Sequence, residues 1–176
     1  MANEIVNRVA NSKLLTIDLE DFYPEGKRSV IDIVQWLTEG IVLREKDFRA
    51  FVKAHSWEQY TDQYVAITCA NNAIIPGWAY MLISISLAPY AKKSVVGTID
   101  SLNNLLFSEI INAINLEPYT GKAVIIKGCA NKPIPQNAFV LLTQRLQPIA
   151  KSLMYGEACS SVPLYKKNKH LNNISK

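Results

Sequence analysis

The sequence predicts an α/β fold, tandem-duplicated with a repeat of about 59 residues, with a mostly parallel sheet and flanking helices. Three observations predict it. The chain resembles itself at a fixed offset, short β-branched runs are each followed by Cys-Ala-Asn, and amphipathic segments of helical length separate those runs. Glu58–Thr68 (EQYTDQYVAIT) lies over Glu117–Lys127 (EPYTGKAVIIK) at an offset of 59. One inserted glycine, Gly128, moves the register to 60 and lays CANNAI (69–74) over CANKPI (129–134). Omitting Ile75 restores the offset of 59, and residues 76–97 then match 135–156. Over these 39 aligned pairs 17 are identical. Two similar amphipathic helices account for shared leucines, but not for Cys-Ala-Asn, two pairs of prolines and the terminal glycines.

Each element has its own signal. Leu14–Leu19 reads as a strand, and Ile31–Leu43 as a helix followed by a short strand. Glu45–His55 has helical spacing. Tyr64–Thr68 is a short apolar run that suits a strand buried on both faces, and Val124–Lys127 is its counterpart. Pro76 and Pro135 stand where a helix's first turn accepts proline. The helices they open, 77–91 and 136–150, repeat apolar residues at Ala79, Leu82, Ile83, Leu87 and at Ala138, Leu141, Leu142, Leu146. Pro89 and Pro148 bend or end them. Val95–Val96 and Leu153–Tyr155 read as the next strands. Between the copies, Leu102–Ile114 is helical by pattern, with Asp100 or Ser101 as N-cap. The expected organisation is one duplicated domain over 1–167, with copies at 41–97 and 100–156 in pseudo-twofold relation. A flexible polar tail is expected over 168–176.

Composition narrows the function classes. Hydrophobic residues make up 49% and charged residues 19% of the 176, enough apolar side chains for a real core. The formal charge of +4 is matched by the four lysines of the tail from Lys166 onward, so no basic groove for nucleic acid is expected. The apolar run Ala79–Tyr90 is shorter than the roughly 18 residues of a membrane span. With no signal-like start, a cytoplasmic protein without a membrane partner is expected. No GxGxxG, GxxxxGK[ST] or GxSxG occurs, so no nucleotide cofactor and no serine hydrolase is expected. The sequence names no oligomeric state.

The chemistry lies in the three cysteines. Without an export signal, Cys69, Cys129 and Cys159 argue against a disulfide framework. Cys69 and Cys129 each follow a strand and precede a helix, and Cys159 lies just past the last strand. Parallel strands bring their C-terminal ends to one edge, where open α/β sheets bind ligands. The three sulfurs are therefore expected together, roughly 3.5–4 Å apart around one ion. The repeat counterpart of Cys159 is Asp100, an oxygen ligand for the fourth position, and three thiolates with one more ligand suit zinc. There is no CxxC pair, so spacing alone does not select a metal. Two other readings stand beside this one. A single nucleophilic cysteine, Cys129 or Cys69 at a helix N-terminus, would make a thiol-dependent enzyme or sulfur carrier. Alternatively all three are inert core thiols of a structural or partner-binding module.

The remaining candidates read as structural. His55 is expected as a surface or capping histidine whose charged form suits the helix end, and His170 lies in the polar tail. Asp18, Glu20, Asp21 and Glu25 read as a solvated turn before Pro24-Glu25-Gly26. Trp36, Trp57 and Trp78 read as packing residues. Trp78 faces Asn137 in the repeat and is a candidate for lining an asymmetric pocket.

The strings EKDFRAFVKAHSWEQYTDQYVAITCANNAIIPGWAYMLI, IIKGCANKPIP and KSLMYGEACSSVPLYKK resemble a bacterial family found chiefly in Bacteroidetes, domain of unknown function 2480. KGC, LMYGE-x-C and VPLYK are the specific parts, and the resemblance runs to Lys167. It implies no catalytic residue. It does imply a neighbourhood with iron–sulfur cluster assembly, and hence an iron–sulfur species as an alternative to zinc and iron–sulfur assembly proteins as partners.

Overall fold

The computed structural model describes residues 14–71, 73–128, 131–157 and 160–167. The tail at 168–176, for which flexibility was expected, lies outside them. In chain order the elements are β1 (Leu14–Ile17), β2 (Arg28–Asp32), α1 (Glu45–Ala54), β3 (Tyr64–Thr68), α2 (Gly77–Leu87) and β4 (Lys93–Val96). They continue with α3 (Ile99–Ala113), β5 (Ala123–Ile126), α4 (Gln136–Leu146), β6 (Ser152–Glu157) and β7 (Ser160–Lys166). The fold is mixed α/β, with two mostly parallel sheets where one was expected. The chain divides into two compact units, Pro24–Leu106 and Met1–Tyr23 with Phe107–Lys176, and the division falls inside α3.

In the unit 24–106, β3 lies between β2 and β4, and both pairings are parallel. Its Val65, Ala66 and Ile67 are all buried, as a strand covered on both faces requires. Val65 and Ile67 join a core with Phe48 and Val52 of α1 and Ala79, Ile83 and Leu87 of α2. Ala66, pointing the other way, packs with Leu102 and Leu106 of α3. The helix expected over Ile31–Leu43 is corrected. Residues 28–32 are a strand, Ile33–Trp36 a 3-10 turn, and Thr38 and Val42 form an isolated antiparallel bridge. Ile31 and Ile33 are both buried although only two residues apart, which an extended chain allows and a helix does not.

In the other unit β5 is the central parallel strand, between β1 and β6, with β7 antiparallel on the far side of β6. Val124 and Ile126 pack with Ile17, Phe107, Ile111, Leu142, Leu146 and Leu153. Each unit thus runs strand, 3-10 turn, helix, 3-10 turn, strand, helix, strand, although β1 is separated from the rest of its sheet by the whole other unit. The helices α2 and α4 stop at Leu87 and Leu146, just before Pro89 and Pro148, which have no N–H to continue the helical hydrogen bonds. Among the described residues no helix is long and apolar enough to cross a membrane.

Candidate functional site

In the unit 24–106 the strand ends are organised by Asp32, the last residue of β2, which pairs in register with Thr68 of β3. Its Oδ1 accepts from the amides of Val34 (3.0 Å) and Ala70 (3.2 Å), capping the 3-10 turn and holding the loop immediately past Cys69. The Cys69 thiol is half-buried against the core and donates to Asn71 Oδ1 at 3.2 Å. That oxygen also accepts from Ala73 N (3.1 Å), while Asn71 Nδ2 donates to the Gly40 carbonyl. The chain just past Cys69 is therefore tied to Asp32 and to Gly40. Burial, and then the charge of a Cys69 thiolate, push the Tyr80 hydroxyl above its ordinary pKa.

Asp100 stands in the first turn of α3, exposed, with its carbonyl accepting from Asn104 Nδ2 at 2.9 Å. It is not the N-cap. Thr98 Oγ1 accepts from Ser101 N (3.2 Å) and Ser101 Oγ from Thr98 N (3.3 Å), so the helix starts earlier than expected and Ser101 acts as the reciprocal partner. Gly97 precedes them at φ 136, where a Cβ would lie 2.6 Å from Ser101 Oγ.

The second unit repeats the device with different chemistry. Asp18, just past β1, caps the 3-10 turn at Leu19–Phe22 through Glu20 N (2.9 Å) and binds Lys127 Nζ at 2.6 Å. Burial alone would raise the Asp18 pKa. The Lys127 hydrogen bond, the Glu20 amide and the Lys127 charge outweigh it and hold the carboxyl below its usual range. The Asp18 bond and charge raise the Lys127 pKa against desolvation, with smaller contributions from Glu157 and Glu20. Glu20 Oε1 accepts from the amides of Asn131 and Lys132, the latter at 2.8 Å. Gly128 has no room for a side chain, since a Cβ would come within 2.9 Å of Tyr155 Cζ, and Tyr155 Oη donates to its carbonyl at 3.3 Å.

The solvated-turn reading therefore fails for Asp18 and Glu20, which bind Lys127, Asn131 and Lys132 after β5, and holds for the exposed Asp21 and Glu25. A sequence signal existed in Thr16-Ile17-Asp18 and Val30-Ile31-Asp32, two short β-branched runs each ending in aspartate. His55 takes the expected capping position at the C-terminus of α1, but it is half-buried and not at the surface, its ring 4.7 Å from Trp57, 5.2 Å from Trp36 and stacked on Tyr60 at 5.7 Å. Its pKa is lowered by burial, so the neutral form is the one the structure favours. Trp78 packs edge-on to Phe48 at 5.6 Å beneath the Arg49 guanidinium.

Of the expected ligands, Cys69 and Asp100 follow the neighbouring strands β3 and β4 of one sheet. Cys129 and Cys159 lie outside the described residues. Among the described residues no group of three or more His, Cys, Asp or Glu is arranged to hold a metal ion. A family model described as protein of unknown function (DUF2480) matches residues 3–167. No curated protein and no solved structure matches the chain.

Proposed function

The chain belongs to the protein family of unknown function DUF2480, and from that premise we propose a cytoplasmic metal- or iron–sulfur-related binding or accessory protein that works through Cys69, Cys129 and Cys159. The observation that carries this reading is the placement of strand ends. Ile126 of β5 pairs in register with Tyr155 of β6, and Ile67 of β3 with Val96 of β4. In sequence, Cys129 and Cys159 follow the first pair, and Cys69 and Asp100 the second. We read residues 41–97 and 100–156 as copies of one repeat of about 59 residues, and each compact unit as bearing a ligand edge, cysteine–cysteine in one and cysteine–aspartate in the other. Soft thiolates select zinc or an iron–sulfur species over hard cations, and iron–sulfur assembly proteins are the partners that such a protein would serve.

Elemental analysis of the purified full chain, with a free-thiol count, tests the reading. Stoichiometric zinc or iron, lost in C129S and C159S, is expected. Metal-free protein in which all three thiols react slowly would sink it. The half-buried Cys69 thiol, held by Asn71 ahead of α2, favours a second reading as a reactive thiol or sulfur carrier. Metal-free protein with one fast-reacting thiol, abolished by C69S, would select that reading instead.

A further inference from the structure

A groove between α1 and α2 lies apart from the cysteines. It is wide open to solvent and holds about 450 Å³, a volume in the ~300–1,000 Å³ range of small-molecule sites. Val52, Trp57 and Leu82 form its floor, and Ile85 and Pro89 one wall. Ile85 is 70% exposed and nearby Met81 65%, an apolar face on a helix end that water gains nothing from wetting.

The polar atoms in this groove are already committed. Trp57 Nε1 donates to Val52 O at 2.9 Å, Ser86 Oγ to Leu82 O at 3.0 Å and Tyr90 Oη to Glu58 Oε1 at 3.2 Å. A sugar or other multiply hydroxylated ligand would find few partners, and its own desolvation would go uncompensated. Two cations, Arg49 and Lys53, line the groove one helical turn apart on α1. Arg49 shares its charge with Glu45 at 2.9 Å, whereas Lys53 has no ion pair among the described residues. Both cations come from α1, whereas the lining residue Tyr90 donates to the Glu58 carboxylate, which puts a negative charge beside that part of the groove.

We propose that this groove binds an apolar chain bearing a single carboxylate, its head between Arg49 and Lys53 and its tail over Trp57 towards Pro89. From Leu82 to Ser86 the lining spans roughly 6 Å of helix rise, and Pro89 and Tyr90 continue it past the end of α2, which suits a medium-length acyl chain. Charge complementarity fixes the orientation, because the reverse pose sets the carboxylate against Glu58. The site depends on none of the cysteines, so it stands or falls separately from the metal reading.

The test is a titration of the full chain with octanoate and, separately, octan-1-ol, both kept below aggregation, followed through the indole N–H resonance of Trp57. Octanoate is expected to shift that resonance saturably, and octan-1-ol to bind at least tenfold more weakly. Lys53→Glu and Ile85→Glu, both exposed and so compatible with folding, should each weaken octanoate at least tenfold. The absence of a saturable shift overturns the proposal, as does unchanged binding in K53E. Equal binding of octan-1-ol also overturns it, and would mark a plain apolar face suited to a macromolecular partner.

Discussion

Asp18 and Asp32 do at residue scale what no composition or periodicity announces. Each ends a strand, caps a 3-10 turn, and acts on the segment beyond a neighbouring strand, Asp32 through the Ala70 amide and Asp18 through Lys127. Short β-branched runs ending in aspartate are visible in the sequence, but their partners lie 38 and 109 residues away, beyond the reach of local pattern. His55 shows the same limit. Its Nε2 is 3.0 Å from Tyr60 Oη and 3.3 Å from Gln59 Nε2, and it accepts from the Gln59 amide only in the tautomer with no proton on Nε2. Trp36, Trp57 and Tyr60 supply the other walls. With its folded pKa lowered, the unfolded chain binds the His55 proton more readily. The associated stability is complete above the unfolded value near 6.5 and is lost as pH falls below it. Melting at pH 5.5 is therefore expected below that at pH 7.5. His55→Gln should remove most of that difference, and an unchanged pH dependence in the variant would refute the assignment.

At the scale of elements, Gly97 links β4 to α3. Its amide extends the ladder to Ile67 O at 2.9 Å, and its φ of 136 turns the chain into the Thr98–Ser101 cap. A side chain there meets both a strained backbone and Ser101 Oγ at 2.6 Å. Gly97→Ala is expected to cost about 1–3 kcal/mol, seen as a lower denaturant midpoint. An unchanged midpoint would mean that the turn relaxes freely. The central strands and all four helices were legible in the sequence, because β3 and β5 are apolar on both faces, α1, α3 and α4 carry a helical period, and Pro76 and Pro89 bracket the almost wholly apolar α2. β2 was not. Its Arg-Ser-Val-Ile-Asp is amphipathic enough to suggest a helix when run on into Ile33–Leu37, and only pairing with β3 settles it as a strand.

At the scale of the molecule, the unit 24–106 is continuous in sequence and contains its whole three-stranded sheet and both of its cores. The other unit must recover β1 from across that insertion. Expressed alone, residues 24–106 are expected to unfold cooperatively with dispersed amide resonances. Residues 107–167 without β1 should be much less stable, since β5 loses a flanking strand and the core loses Ile17 and Leu19. A fragment 24–106 lacking resonance dispersion would show that this unit needs the rest of the chain.

The sequence by itself determined the α/β class, the order of helices and strands from α1 to β6, and the two buried central strands, because apolar periodicity and proline act through neighbours along the chain. The tertiary structure alone decided that there are two sheets, that β1 joins β5, that Asp18 and Glu20 hold the segment after β5, and that His55 sits among aromatic rings. Those features depend on contacts between residues far apart in sequence, where burial and hydrogen-bond geometry select the partner and no local signal specifies it.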